Sequence, residues 1–512
     1  MTILLSLPPL DALMLPLTIV WITLPFFLGF LGYLLPRCDR YFAGVMAALS
    51  VAYALLLFWQ SDPLELRLLD HFGVSLLLDS LTGFFVITNG LVTAAVACYC
   101  WQGGKTPFFY AQTLMLHGSV NAAFACSDLM SLYVALEVLG IAAFLLIAYP
   151  RSDRAIWVGL RYLFVSNGVM LFYLVGAALV YQANHSFDFV GLRTAPPEAI
   201  ALILLGLLVK AGIFVSGLWL PLTHSESETP VSALMSGVVV KASVLPLVRC
   251  ALLFESVEPI VRLFGVATAL FGVLYAVFEK DTKRMLAFHT ISQLGFVLAA
   301  PIVAGFYALT HGLVKSALFL IAGNLPSRSF KVLKSQPIWT PLWVALAIAS
   351  FSISGFPLLS GFGAKVLTMK NLVPWQVIGM NLAALGTATS FAKFIFLPHQ
   401  RQMAMGDPSG TVALPVALPA PNRGFLPAPN RGFWWAMAIL LGGLVVANGV
   451  YYEAYTWANV AKPLGTIALG WGVYQLILPR LSLHLPQDLE QFEHLIGMMA
   501  VMLVVLFWMV LA

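Results

Sequence analysis

Runs of roughly 20 predominantly apolar residues recur along almost the whole chain, separated by short polar loops. This one feature excludes an ordinary water-soluble core and leaves a polytopic helical membrane protein. Composition agrees. Only 10% of the 512 residues are charged, against about 25% in a typical soluble domain. The approximate spans are 12–36, 42–59, 76–101, 107–126, 129–149, 156–181, 200–222, 230–254, 259–279, 285–304, 306–325, 339–372, 375–398, 433–452, 462–479 and 493–511. The twelfth is too long for one plain helix. It contains "SISGFPLLSGFGAK", with three glycines and Pro357, and reads as a helix interrupted within the membrane. The first span is too long, and lacks a preceding basic region, to read as a cleaved signal peptide.

The loops sort by charge. Arg37 and Arg40, Lys105, Arg151 and Arg154, Lys280 with Lys283 and Arg284, Arg328 with Lys331 and Lys334, and Arg480 all follow odd-numbered spans. Basic loops stay in the cytoplasm, so the odd loops are expected there and both termini on the other side. Loop seven, "THSESET", is an acidic exception. Residues 401–433 carry "LPAPNRGF" twice in tandem, which reads as a flexible connector. The net charge of +5 fits the loop bias and calls for no nucleic-acid partner. The five cysteines match no metal or cluster spacing and read as small core residues. No phosphate-cradling loop or dinucleotide fingerprint is present. No cofactor, no metal and no intrinsic redox catalysis are therefore expected.

What remains is a set of ionisable groups at membrane depth, where they are costly and mark polar pathways. Glu137 lies in "LMSLYVALEVLGIAAFLLIAY". Lys210, Lys241, Lys315 and Lys365 each lie inside apolar sequence on different spans, and His311 sits one turn before Lys315. A Glu137–lysine pair alone would fit a structural ion pair, and His289 alone a packed, hydrogen-bonded histidine. Lys283, Lys370 and Lys393 lie near helix ends, where lysine snorkels to the interface. Four internal lysines plus a glutamate on five spans fit a proton path better than five independent structural choices. A purely structural membrane scaffold is the opposing reading.

Over roughly residues 75–400 the chain resembles the antiporter-like membrane subunits shared by respiratory complex I and Mrp-type cation/proton antiporters. "DLMSLYVALEVLGIAAFLLIAY" resembles that family's fifth helix, with its essential Glu at Glu137. "LLVKAGIFVSGLWLPLTHSESETPVSALMSGVVVKASVLPLVR" resembles its seventh and eighth helices, with lysines at Lys210 and Lys241. "EKDTKRMLAFHTISQLGF", "HGLVKSALFLIAG" and "SISGFPLLSGFGAK" supply the approach to the tenth helix, His311 with Lys315, and Lys365.

The resemblance implies an all-α polytopic fold of about 14–16 transmembrane helices, with two inverted five-helix repeats whose seventh and twelfth helices are broken. The implied organisation is N-terminal helices at 1–105, repeats at 106–254 and 255–400, the connector at 401–433 and C-terminal helices at 434–512. It further implies proton translocation through Glu137, Lys210, Lys241, His311, Lys315 and Lys365, with His224 and His289 as access candidates. The function expected is that of an Mrp D-like component of a cation/proton antiporter. The alternatives are a proton-pumping subunit of an NAD(P)H–quinone oxidoreductase and the membrane part of an energy-coupled inorganic-carbon uptake system. Expected partners are other membrane subunits, lipid, protons and Na⁺, in a bacterial inner membrane or a thylakoid. One departure stands out: where the family often reads Asp after "WLP", this chain has Leu222, followed by Glu226 and Glu228.

Overall fold

The computed structural model describes residues 10–60, 62–69, 73–401, 429–481, 485–486 and 488–511. Among them the chain is almost entirely helical. It opens with α1 (Leu10–Leu34) and α2 (Asp39–Trp59), then a hairpin of β1 (Leu64–Leu69) and β2 (Gly73–Leu78), paired antiparallel with Leu64 opposite Leu78. The helices α3 (Ser80–Cys100), α4 (Pro107–Ala125), α5 (Leu129–Ile147) and α6 (Asp153–Asn184) follow. The hairpin corrects the third span. Residues 76–78 belong to a strand, and the helix begins only where the Asp79 side chain accepts from the Thr82 amide.

The seventh interval is broken. The helix α7 (Pro197–Ala211) stops at Gly212, whose φ is +74°, and a 3₁₀ turn at Phe214–Leu218 leads into α8 (Trp219–Glu226). The amides of Gly212 and Ile213 bond back to Val209 and Leu208, a Schellman stop. Next come α9 (Thr229–Leu234), a π-helical turn at Met235–Val239, α10 (Lys241–Leu253), α11 (Glu258–Phe278), α12 (Thr282–Ala299) and α13 (Ala304–Ala322). After the short α14 (Phe330–Leu333), the twelfth interval repeats the device. The helix α15 (Thr340–Ser354) ends at Gly355, φ +85°, with the amides of Gly355 and Phe356 bonding back to Ser352 and Phe351. Its continuation is α16 (Ser360–Lys370). The chain finishes with α17 (Gln376–Ile395), α18 (Arg431–Val450), α19 (Trp457–Gly472) and α20 (Phe492–Leu511). Two-residue strands β3 (Ile338–Trp339) and β4 (His399–Gln400) pair in parallel.

All sixteen expected intervals fall on a helix or a broken helix. Eleven described helices are long and apolar enough to cross a membrane. The others are shorter, interrupted or less apolar. The tandem "LPAPNRGF" lies almost wholly outside the described residues. Only its last residues appear, where Asn430 caps α18 by accepting from the Phe433 amide.

The acidic loop seven now has a physical account. Glu228 pairs with Lys105 of loop three at 2.6 Å, and Glu226 with Arg154 of loop five at 3.6 Å. Lys283 of α12 donates to the Ser227 carbonyl at 3.0 Å. Loop seven thus sits among the basic odd loops and supplies their counter-charge.

Candidate functional site

The interior helices carry the ionisable row. Glu137 on α5 meets Lys210 on α7 at 3.5 Å. Lys210 is 5% exposed and stands two residues before the Gly212 break. Gly140, one turn beyond Glu137, leaves room for this lysine: a Cβ there would lie 3.5 Å from its Nζ and 3.0 Å from Asn167 Oδ1.

Lys241 is fully buried and makes no ion pair among the described residues. Its Nζ donates to the carbonyls of Gly237 at 2.7 Å and Ser236 at 3.1 Å. Both acceptors lie in the π-helical turn just before it. A wide turn leaves backbone groups outside the regular ladder, and such turns gather at functional positions. Against it packs α13. A Cβ on Gly312 would come 2.9 Å from the Gly237 carbonyl and 3.6 Å from Lys241 Cε.

Lys315, also fully buried, donates to the Leu286 carbonyl of α12. That carbonyl also accepts from Thr290 Oγ1 at 3.2 Å, and Thr290 Oγ1 is 2.7 Å from Ser236 Oγ. The single Thr290 hydroxyl proton is committed to Leu286, so Ser236 donates to Thr290. Lys241 thus rests on the Ser236 carbonyl, while the Ser236 hydroxyl meets Thr290, whose hydroxyl shares the Leu286 carbonyl with Lys315; the hydroxyl pair lies between the lysines without bonding to either one.

His311 is buried beside this junction, with Lys241, Lys315 and His289 as its electrostatic neighbours. His289 in turn has Lys315, Lys393 and Lys365 in electrostatic reach. His224 on α8 lies within electrostatic reach of Lys315 and Lys283. Its ring is 5.5 Å from that of Phe319, over whose face Lys315 Nζ sits at 5.1 Å. None of these three imidazoles has a hydrogen-bond partner among the described residues. Lys365 follows the Gly355 break. Its Nζ, buried and unpartnered among the described residues, lies 5.4 Å from the centre of the Phe296 ring.

The structure thus brings Glu137 to Lys210 directly, sets the Ser236–Thr290 hydroxyl pair beside the carbonyls that hold Lys241 and Lys315, and leaves His289 in electrostatic reach of Lys315, Lys393 and Lys365. Lys210 and Lys241 share no hydrogen bond among the described residues. Two expectations of snorkelling are corrected. Lys283 and Lys393 are buried, 6% and 7% exposed. Lys393 donates to the Ala276 and Glu279 carbonyls, closing the C-terminus of α11. Lys370 is exposed, as expected at a helix end.

Ser236 and Thr290 are not legible in the sequence. Ser236 precedes Lys241 by five residues, a spacing that a regular helix places on different faces. Only the π turn brings the Ser236 backbone under the lysine, and no residue pattern announces that turn.

A helical membrane protein with two glycine-broken helices and a buried lysine row is the class this geometry defines. The chain belongs to the NADH:quinone oxidoreductase/Mrp antiporter transmembrane family, whose model matches residues 126–391, more than half of its length. It is 29% identical over 365 residues to the N subunit of an NADH-quinone oxidoreductase from Desulforudis audaxviator, covering 63% of this chain and 72% of that one. It is 28% identical over 330 residues to the D subunit of a Na⁺/H⁺ antiporter from Alkalihalophilus pseudofirmus, covering 57% of this chain and 66% of the other. Its fold is similar to that of a chain in the Mrp complex from Dietzia sp. DQ12-45-1b, with a TM-score of 0.71 at 22% identity, covering 96% of this chain and 100% of that one.

Proposed function

We propose that this chain is a proton-translocating membrane subunit of a multisubunit cation/proton antiporter, of the Mrp D kind. In this reading the two repeats, 106–254 and 255–400, carry the path. Glu137 and Lys210 form its switch, Lys241, His311 and Lys315 its central relay, and Lys365 its terminal exchange group. His224 and His289 give access from the side. The observation that carries the reading is the hydroxyl junction between two fully buried lysines. Both ammonium groups rest on backbone carbonyls, which accept but cannot pass a proton. Either lysine can hand on its proton only by turning from its carbonyl to the adjacent hydroxyl. Ser236 and Thr290 carry the hydroxyls that such a turn has to reach. The balance is simple: Lys241 gives a proton to Ser236 Oγ, Ser236 gives its own to Thr290 Oγ1, and Thr290 gives its own to a neutral Lys315.

The second reading is a proton-pumping subunit of a quinone oxidoreductase, favoured by the relative from an NADH-quinone oxidoreductase. Purifying the assembled complex from its native membrane separates the two. Na⁺-dependent proton exchange without NAD(P)H oxidation supports the antiporter, and proton uptake driven by NAD(P)H oxidation supports the alternative.

A further inference from the structure

At the odd-loop end, α6, α8 and the start of α20 enclose a cleft of about 640 Å³ lined by Arg154, Trp157, Arg161, Leu222, Glu490 and Glu493 among others. Arg161 lies eight residues into α6, roughly 12 Å along the helix at 1.5 Å per residue. The apolar span read from the sequence begins near residue 156, so Arg161 falls near the membrane surface. Its Nε and Nη2 are buried without a hydrogen-bond partner among the described residues. Glu490 and Glu493 lie within electrostatic reach of Arg161, but neither bonds to its Nε or Nη2. Glu490 is held by Arg284 at 2.5 and 3.1 Å, and Glu226 by Arg154 at 3.6 Å. Glu493 forms no ion pair with Arg161. Trp157 carries the guanidinium of Arg154 over its ring at 5.1 Å and that of Arg161 at 5.7 Å.

Buried guanidinium nitrogens left unpaired are costly, and a partner from outside the chain is the natural remedy. Leu222 lines the same cleft. Two acids also line the wall, but Glu490 is held by Arg284 and Glu493 acts on Arg161 without bonding to it, so the Arg161 fork keeps free donors. We propose that the cleft holds the phosphate of a glycerophospholipid, with Arg161 as its anchor, Trp157 at the headgroup level and the acyl chains against the apolar wall around Phe164 and Phe492. Arginine forks bind phosphate oxygens in pairs, and basic pockets between transmembrane helices on the cytoplasmic side recognise lipid headgroups. A free phosphate offers the same oxygens but nothing for the apolar wall.

The test uses the full complex, delipidated in detergent and then given vesicles of phosphatidylethanolamine and phosphatidylglycerol at 3:1. Native mass spectrometry counts the phospholipids that survive detergent exchange. The wild type should retain one more than Arg161→Gln. Leu222→Asp, which supplies an internal acid without removing the arginine, should lose the same lipid while keeping its melting temperature. Millimolar inorganic phosphate should leave the count unchanged. Equal lipid counts in wild type and Leu222→Asp would overturn the proposal. Displacement by inorganic phosphate would overturn it too, and would mark a site for small anions.

Discussion

Lys365 is the residue on which a structural role and a proton-transfer role diverge most sharply. It is buried, has no hydrogen-bond partner among the described residues and rests near an aromatic ring. Lysine can lose its proton when desolvated, whereas arginine in proteins does not. Lys365→Ala and Lys365→Arg should therefore both cut exchange at least about 100-fold, the scale of a lost acid–base group. Antiport measured in vesicles, with protein content checked by blot, decides it. Near-normal flux in Lys365→Arg would show that only the charge matters. Asp79 offers a second test, of stability. Burial alone would raise its pKa, but the Arg249 guanidinium, bonded to both carboxylate oxygens at 3.0 Å, together with the Thr82 amide and hydroxyl, outweighs burial and holds the group below the usual range. A carboxyl lowered on folding stabilises above its unfolded value, and that stability is lost as pH falls through the folded value. Asp79→Asn should cost on the order of 3 kcal/mol of stability at neutral pH, read as a lowered melting temperature. Below about pH 4 it should show a flatter acid limb than the wild type. Parallel acid limbs in the two proteins would remove the pair from this role.

At the scale of elements, the tight approach of α13 to the π turn holds the two central lysines in register. A side chain on Gly312 would collide with Thr88 and crowd the Gly237 carbonyl. Gly312→Ala should cost about 1–3 kcal/mol, the usual range for overpacking, and slow transport, as read by thermal melting and flux together. Flux unchanged at a lowered melting temperature would separate packing from transfer. The hydroxyl junction gives a finer test. Ser236→Ala and Thr290→Val should each slow proton flux at least about tenfold, and Thr290→Ser should restore it. Full flux in Thr290→Val would dismiss the hydroxyls.

How much of these elements can be read from residues alone differs from case to case. The break in the twelfth span is visible because its glycines and Pro357 cluster. The break after Gly212 is not visible in composition, since "KAGIFVSGLWLP" reads as one apolar run, and only the family resemblance implies it. The β1–β2 hairpin escapes because its residues are as apolar as the helix that follows. The ionisable residues of the row are all legible, because a charge inside apolar sequence is conspicuous. Their connections are not, because those run through backbone carbonyls and ordinary hydroxyls.

For the whole molecule, the ion pairs among loops three, five and seven, with the Lys283 bond from loop nine, tie the odd-loop end into one charged surface over the buried row. Loop seven's acids are local partners for neighbouring bases and leave the orientation argument intact. The account as a whole stands on the claim that protons cross this chain along Glu137, Lys210 and the lysines beyond. Glu137 is the one acid in direct contact with a lysine of the row among the described residues, so neutralising it should stop the path at its first step. The measurement is proton flux in vesicles containing the assembled complex, wild type against Glu137→Gln, with matched protein content. The account predicts flux reduced at least about 100-fold in a normally assembled mutant, and wild-type flux from that mutant would contradict it.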